Sequence, residues 1–204
     1  MTFSTIGRML AASMQDDPFC RAITEGAHDQ DQRLQMLQVW FEQAMIEAEA
    51  VGELRLSGQD AAAIWATGEA PHEQLRAHRA ARMAALVPVL GPIGMANLQA
   101  MDQFMTAQIP AGLDTGWRLS TLVVAAEERG QGLGSALLRR TLRRADEKRA
   151  RCWVQTFNPL SLPFLQRLGF TQVLDLKDPV TEAAYWVASR SPWAAPGPEH
   201  QRYQ

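Results

Sequence analysis

Residues 117–138 read Trp117-Arg-Leu-Ser-Thr-Leu-Val-Val-Ala-Ala-Glu-Glu-Arg-Gly-Gln-Gly-Leu-Gly-Ser-Ala-Leu-Leu138. Residues 117–124 alternate and are rich in β-branched and aromatic side chains, which is typical of a buried strand. The alternation predicts two sides of this strand: Trp117, Leu119, Thr121 and Val123 on one, Leu122 and Val124 on the other. From Leu133 onward, the abundance of Leu, Ala and Arg favours a helix. The stretch therefore predicts a strand, a glycine-rich turn and a helix in succession.

The turn Arg129–Gly134 carries glycine at every second position. Glycine adopts positive φ angles easily and has no Cβ to block a ligand. Amide N–H groups at a helix start lack intrahelical partners and carry positive partial charge, so such a turn can bind a phosphate or pyrophosphate. The spacing differs from the dinucleotide pattern G-x-G-x-x-G, and no Gly-Lys-Ser or Gly-Lys-Thr follows as in a P-loop. The turn therefore predicts a phosphate site of another kind.

The spacing Arg129-x-x-Gly132-x-Gly134 resembles the acetyl-CoA loop of GNAT-type N-acetyltransferases. Downstream, residues 158–170 read Asn-Pro-Leu-Ser-Leu-Pro-Phe-Leu-Gln-Arg-Leu-Gly-Phe and resemble a later segment of the same family. The strand Ala-Ala-Ala-Ile-Trp65 is similar to one in the small-molecule branch that includes puromycin N-acetyltransferase. The resemblance is clearest over residues 115–189.

This resemblance implies an α/β (α+β) GNAT fold. Its central mixed, mostly antiparallel twisted sheet splays open between two strands and is flanked by helices. We expect a single domain over residues 1–189, with an extra helical insert at about 71–107. The first strand of the family has no counterpart before the helix predicted at 4–14. Residues 190–204 are rich in proline and lack periodicity, so they predict a disordered tail.

The composition limits the kinds of partner that we expect. With 204 residues, 47% of them hydrophobic, the chain can bury a sizeable core without disulfides or bound metals. A formal net charge of −2 gives no general case for binding nucleic acid or a membrane surface. The two cysteines and four histidines have no metal-site or disulfide spacing, so no metal is expected. The start does not resemble a signal peptide, and no apolar run approaches about 20 residues. We expect a cytoplasmic protein, either a monomer or a homodimer.

The resemblance also implies a donor site for acetyl-CoA, which would act as co-substrate. Backbone N–H groups of the strand would contact the donor, and one of them would polarise the thioester oxygen: Leu122, Val123 and Val124. Backbone amides of the loop would hold the pyrophosphate: Arg129, Gly130, Gln131, Gly132, Leu133, Gly134 and Ser135. The pantetheine would lie between strands 117–124 and 151–157. Asn158 and Phe164 would line its far side, and Arg167 would reach a phosphate.

Two positions depart from the family pattern. Leu165 replaces a tyrosine that is often assigned in GNAT enzymes as the acid for the CoA thiolate, and leucine cannot donate a proton. Gln155 replaces a glutamate of the puromycin-type strand and cannot act as a base. The candidate acids are therefore Ser161, Tyr185 and Cys152. The base stays open among Asp17, Glu53 and a water chain.

An acceptor pocket is predicted from aromatic residues in the first half of the chain. Trp40, in the amphipathic helix 30–50, and Trp65 are the candidate walls, beside a methionine-rich stripe at 95–105. Asp17 is a candidate for attracting a cationic amine, although a solvated turn also accounts for it. The insert at 71–107 either caps this pocket or forms an ordinary helical layer. The acceptor expected from these residues is a small, hydrophobic primary amine.

Three functions are consistent with these features. The leading prediction is transfer of an acetyl group from acetyl-CoA to a small amine. The alternative is a non-catalytic acyl-CoA-binding sensor or regulatory protein, which the departures at Leu165 and Gln155 favour. A protein-modifying acetyltransferase would need an open groove for a peptide, and the helical insert argues against one. The identity of the acceptor and the length of the acyl chain stay open.

Overall fold

The computed structural model describes residues 3–193. The disordered tail was predicted over residues 190–204; residues 194–204 lie outside the described range, whereas Arg190 is part of a strand, so the prediction is wrong at that residue. Six helices are formed in this part of the chain: α1 Ser4–Met14, α2 Pro18–Ile23, α3 Gln30–Val51, α4 His72–Ala107, α5 Leu133–Glu147 and α6 Leu162–Arg167. The strands are β1 Glu53–Ser57, β2 Ala61–Ala66, β3 Trp117–Val124, β4 Cys152–Thr156, β5 Gln172–Lys177 and β6 Ala184–Arg190. The last strand extends one residue beyond the predicted domain end, to Arg190.

The six strands form one sheet in the order β1-β2-β3-β4-β6-β5. Only β3 and β4 pair in parallel, and all other neighbours are antiparallel. This confirms the predicted mixed, mostly antiparallel sheet flanked by helices. Within residues 3–193 no strand precedes α1, as the sequence predicted. The first strand of the sheet is β1, which follows α3.

The sheet opens between its two parallel strands. β3 and β4 pair only through Trp117–Leu119 and Cys152–Val154. Beyond these residues β3 stays paired with β2, and β4 stays paired with β6. Their facing edges, residues 121–124 and 155–156, therefore have no strand partner across the gap. We call this opening the cleft, and it confirms the predicted splay.

A β-bulge in β3 changes which side chains share a face. Ile64 pairs with Thr121, whereas the next residue of β2, Trp65, pairs with Leu119, so Ser120 is an extra residue. Because side chains alternate with a period of two, one extra residue reverses the faces beyond it. The predicted single alternation is therefore wrong. One core cluster contains Trp117 and Leu119 from before the bulge and contacts Leu122 and Val124 from after it.

The sheet separates two layers of helices. On one face, α5 and α6 cover a core that includes Trp65, Trp117 and Leu138; we call this the α5 face. On the other, α1, α2, α3 and α4 cover a larger core that includes Val123, Trp153 and Tyr185; we call this the α4 face. Helix α3 packs directly on β1 and β2, whereas α4 packs mainly on α3 and α2.

The predicted insert folds as one long helix with a kink. Helix α4 has 36 residues, and Gly91 in its middle has φ 64° and ψ −175°. Glycine adopts this conformation without steric cost, and Pro92 follows it, so these two residues account for the kink. A window of 18 residues in α4 reaches a mean hydropathy of 1.4, enough by length and composition for a membrane span. Of that window 22% is buried in the protein. Leu86, Leu90 and Met101 of α4 lie in the core, whereas Val87 and Ile93 are exposed.

Candidate active site

The glycine-rich loop ends in a helix start without a side-chain cap. Gly132 is the N-cap residue of α5 with φ 83°, and Gly130 has φ 81°. Since glycine has no side chain, it leaves the first amide N–H groups of α5 uncapped, and these belong to Leu133, Gly134 and Ser135. Apart from the chain neighbours of each glycine, no atom of residues 3–193 lies within 4 Å of a Cβ built at Gly130 or Gly132. This arrangement fits an anionic group approaching the backbone.

The cleft meets this helix start. A Cβ built at Gly134 would lie 3.5 Å from Phe164 Cζ, 3.5 Å from Val124 Cγ2 and 3.8 Å from Leu122 Cδ2. The structure therefore brings together four of the residues predicted to contact the donor, from β3, α5 and α6. Arg129 donates from Nε to the carbonyl oxygen of Val124 at 3.1 Å, which ties the loop to the end of β3.

Hydrogen bonding at the end of β3 shows which amides face the cleft. The N–H of Ala125 donates to the carbonyl of Asp60 on the β2 side at 2.7 Å. Main-chain groups alternate along a strand, so the N–H of Val123 also faces β2. Those of Leu122 and Val124 face the opposite way, into the cleft. Of the three amides predicted to contact the donor, Leu122 and Val124 are suitably oriented and Val123 is not.

The segment after β4 forms a tight turn through its own side chains. Asn158 Oδ1 accepts from the N–H of Leu160 at 3.0 Å, and Ser161 Oγ donates to the carbonyl of Asn158 at 2.7 Å. The Ser161 hydroxyl also lies 3.2 Å from Thr156 Oγ1. These two residues therefore shape the turn at the rim of the cleft. Arg167, at the end of α6, is exposed and carries its charge at the surface.

Leu165 does not reach the cleft. Its side chain is 3% exposed and lies in the α5-face core with Leu137, Leu138 and Phe170. The partly exposed Phe164 is the residue of α6 that approaches Val124 and Gly134. A tyrosine at position 165 would place its hydroxyl in an apolar core.

Substituting tyrosine for Leu165 is expected to destabilise the protein by about 1–3 kcal/mol without raising turnover, because it overpacks a filled core. Urea unfolding monitored by circular dichroism measures the first effect, and a thiol-release assay measures the second. Gln166→Tyr is the matched control, since residue 166 neighbours Leu165 on the same helix and is exposed. A stable Leu165→Tyr variant with raised turnover would contradict this placement.

Tyr185 lies on the α4 face, and its buried hydroxyl has no hydrogen-bond partner in the described part of the chain. Its ring is 5.4 Å from that of Phe157 and 6.5 Å from that of Phe104, centroid to centroid. Burial raises the pKa of Tyr185 to about 12, and the negative charge of Asp178 adds to the shift. The hydroxyl therefore keeps its proton at neutral pH. This state is compatible with the predicted role as a proton donor.

The same face carries a charged residue that the sequence analysis missed. Arg118 is in register with Trp153, and its Cζ lies 5.7 Å from the centre of the indole. Burial lowers the pKa of Arg118, and positive Arg82 adds to the shift. A signal was present in the sequence, because Arg118 stands inside a strand otherwise composed of apolar and small residues. Its side chain is half-buried and, within residues 3–193, pairs with no carboxylate.

Two predicted acceptor residues have structural roles instead. Trp65 is 0% exposed and lies in the α5-face core, so it cannot wall a pocket on the α4 face. Asp17 is the N-cap of α2 and accepts from the N–H groups of Phe19 and Cys20 at 3.0 and 3.4 Å. Burial raises the pKa of Asp17, although both backbone bonds oppose this effect. Its carboxylate is therefore engaged locally.

The remaining candidates divide between the two faces. Trp40 is partly exposed among the helices, with its ring 5.5 Å from Phe19 and 4.5 Å from the Arg82 guanidinium. Glu53 is buried against α5, where it pairs with Arg55 at 2.8 Å and with Arg144 at 2.5 Å. It cannot serve as a base on the α4 face. Cys152 is also a poor candidate as acid, because it is buried beneath the sheet and burial raises its pKa to about 12.

A sheet that splays beside a glycine-rich, uncapped helix start defines a class of acyltransferases. The chain belongs to the acetyltransferase (GNAT) family, whose model matches residues 54–170, more than half of the 204 residues.

A solved structure supports the fold. The crystal structure of "histone acetyltransferase HPA2 and related acetyltransferase" from Corynebacterium glutamicum ATCC 13032 is 20% identical, and the match covers 96% of this chain and 93% of that one, with a TM-score of 0.57. A second structure, described as an acetyltransferase, is 15% identical over 92% of this chain and 95% of that one. Its TM-score of 0.49 is too low to add to the comparison.

Proposed function

We propose that the protein transfers an acetyl group from acetyl-CoA to a primary amine of a small molecule. The observation that carries this proposal is the continuity of two features in one place. The uncapped start of α5 meets the open end of the cleft where Gly134, Val124 and Phe164 approach one another. A ligand that joins a phosphate group to a slender chain can place the phosphate at the start of α5 and the chain in the cleft. CoA is such a ligand. The assignment to the puromycin-like branch stays a prediction.

In this proposal, each residue around the cleft has a defined task. The N–H groups of Leu133, Gly134 and Ser135 bind the pyrophosphate, and the exposed Arg167 adds positive charge nearby. The N–H groups of Leu122 and Val124 lie along the chain of the donor, and one of them polarises the thioester oxygen. Bound acetyl-CoA supplies an activated acyl group that an amine can attack. Much of the rate then comes from holding the two reactants in line.

Tyr185 is the better of the two candidate acids. Its hydroxyl has no competing partner and keeps its proton, whereas Ser161 already donates to the carbonyl of Asn158. For the base, Asp17 is occupied as a helix cap and Glu53 lies on the α5 face. Of the three bases considered, a water chain is the one consistent with these positions.

Two measurements test the proposed function. Calorimetric titration with CoA establishes whether the donor site exists, and release of free thiol from acetyl-CoA in the presence of an amine panel establishes catalysis. The panel contains arylalkylamines, aminosugars, free amino acids and amino-acid amides. We expect CoA to bind and at least one small amine to accelerate thiol release. Absence of CoA binding by the folded protein would remove the donor assignment.

The same experiment tests a second function, that of an acyl-CoA-binding regulatory protein. An acyl-CoA-binding regulatory protein would keep the loop and the cleft but need no proton donor or base. Gln155 stands where the puromycin-type enzymes have glutamate. Its amide cannot act as a base at neutral pH, which favours the regulatory protein. CoA binding without thiol release for any amine of the panel would support the regulatory protein. Location in the cytoplasm and a monomeric or homodimeric state are proposals shared by both functions.

Replacing Tyr185 with phenylalanine is expected to lower kcat by about 10²–10⁴-fold, the usual contribution of a positioned acid. Stability should be unchanged or slightly higher, since the hydroxyl is buried without a partner. Steady-state kinetics and thermal unfolding measure the two effects. Ser161→Ala serves as the comparison at the other candidate acid. A large loss of kcat in Ser161→Ala, with little change in Tyr185→Phe, would transfer the role to Ser161.

A further inference from the structure

Polar side chains at the closed end of the cleft lack partners within the protein. On the α4 face, Trp153 Nε1 and Gln155 Nε2 are buried and form no hydrogen bond with any part of the described chain. Gln155 is the first residue of β4 beyond the segment paired with β3. Buried donors without partners cost stability, and native proteins keep few of them. The Gln155 amide, at the edge where β4 has no partner in β3, therefore indicates a place that a ligand can fill.

The charges around these groups do not balance. Arg82 pairs with Glu47 at 2.9 Å, and Arg79 pairs with Asp102 at 3.1 Å. Arg118 lies within electrostatic range of all four. Within residues 3–193 it pairs with no carboxylate. Three arginines and two carboxylates leave one positive charge, and that charge sits on the strand that borders the cleft.

The position of Arg118 connects this charge to the proposed reaction. Arg118 and Trp153 are opposite one another one residue before β3 and β4 lose their pairing. The site is therefore at the closed end of the cleft, beside the bulge at Ser120 and the inward-facing amide of Leu122. It lies on the α4 face, whereas the glycine loop leads to the α5 face. An amine entering from the α4 side would meet Arg118 next to the acyl group.

We propose that Arg118 binds a carboxylate of the acceptor, so that the acceptor is a small amine that also carries a carboxylate. The guanidinium presents a planar fork of donors that suits a carboxylate, and the ring of Trp153 orients it. The side-chain amide of Gln155, the next residue on this face of β4, supplies a neutral donor to the same anion. This inference rests on the proposed function. The sequence analysis expected Asp17 to attract the positive amine of the acceptor, whereas here Arg118 attracts its negative carboxylate.

The decisive experiment compares free acids with their carboxamides as acceptors. The panel contains leucine, phenylalanine, methionine, β-alanine and 4-aminobutyrate, each beside its amide, and thiol release gives kcat/KM. We expect the protein to prefer the free acid of its best pair by about a hundredfold, as for a bidentate charged pair. In Arg118→Gln the two members of the pair should become equivalent, while the Kd for CoA is unchanged. Arg118→Lys should keep part of the preference, and Arg79→Gln, a more exposed charge in the same cluster, should keep all of it.

A binding arm makes the test independent of turnover. CoA-loaded protein is titrated calorimetrically with propanoate, hexanoate and 3-phenylpropanoate and with the three matching amides. We expect at least one acid to bind about tenfold more tightly than its amide, and Arg118→Gln to remove the difference. Equal binding within every pair, or a preference that survives Arg118→Gln, would overturn the inference. Thiol release with amides but not with acids would also overturn it while leaving the proposed function intact. Failure of CoA itself to bind would instead count against the proposed function.

Discussion

Replacing Gly132 with valine is expected to weaken CoA binding by about a hundredfold or more. Gly132 has φ 83° at the N-cap of α5, and an L-residue in this region costs about 1–2 kcal/mol. Relief of that strain would turn the first amides of α5 away from the phosphate, and a valine side chain would fill the open space beside them. Losing two charge-assisted hydrogen bonds of about 1.5–3 kcal/mol each accounts for the size of the effect. Calorimetric titration with CoA measures it.

The chain offers a closely matched control for backbone strain. Gly68 has φ 67°, is exposed like Gly132 and also has no atom within 4 Å of a built Cβ. Gly68→Val therefore carries the same kind of strain in a loop away from the start of α5, since its neighbour Glu69 contacts the opposite end of that helix at Arg144 and Lys148. We expect both variants to lose similar stability in urea unfolding and only Gly132→Val to lose affinity. A folded Gly132→Val variant with normal affinity for CoA would remove the loop from the donor site.

Local signals made the donor side predictable. The strand 117–124 was predicted with its observed ends, and α5 begins at Leu133, as predicted. Both boundaries follow from short-range chemistry, since the period of a strand and a glycine turn are visible within a few residues. The cap of α2 could have been predicted in the same way. Asp17 followed by Pro18 is a typical start of a helix, an N-cap acceptor followed by proline at N1.

Local sequence signals could not predict the bulge in β3. Ser120 is extra only with respect to β2, and nothing in Leu119-Ser-Thr121 marks it locally. The consequence is large, because one residue decides which faces Leu122 and Val124 occupy. It also decides which amides enter the cleft. The position of the bulge depends on how β2 and β3 align in three dimensions.

The acceptor side was predicted less well because both faces of the sheet are buried. Ala61–Ala66 is almost entirely apolar, so the sequence does not show which face any of its residues occupies. Trp65 was assigned to the pocket by resemblance and instead lies beneath α5. The residues that do border the closed end, Arg118 and Gln155, come from strands that are adjacent only after folding. They are neighbours because β3 and β4 lie side by side in the sheet.

Replacing Trp65 with alanine is therefore expected to reduce stability and to spare acceptor recognition. Removing a fully buried tryptophan costs about 3–5 kcal/mol through lost contacts and the cavity left behind. The midpoint of thermal unfolding should fall by on the order of 10 °C. At a temperature where the variant is still folded, KM for the acceptor should stay close to that of the unmodified protein. Urea unfolding and steady-state kinetics give the two quantities.

Trp193→Ala is the matched control, because this tryptophan is 72% exposed and contacts Asp146 through its backbone N–H. The same substitution there should change stability by less than about 0.5 kcal/mol. Trp65→Phe should recover part of the stability, since phenylalanine fills much of the volume, and Nε1 of Trp65 has no hydrogen-bond partner to lose. A Trp65→Ala variant of normal stability whose acceptor KM rises tenfold would place the side chain in the pocket after all. The assignment of Trp65 to the α5 face would then be wrong. The faces assigned to the other residues of β2, and to the residues paired with them, would be wrong as well.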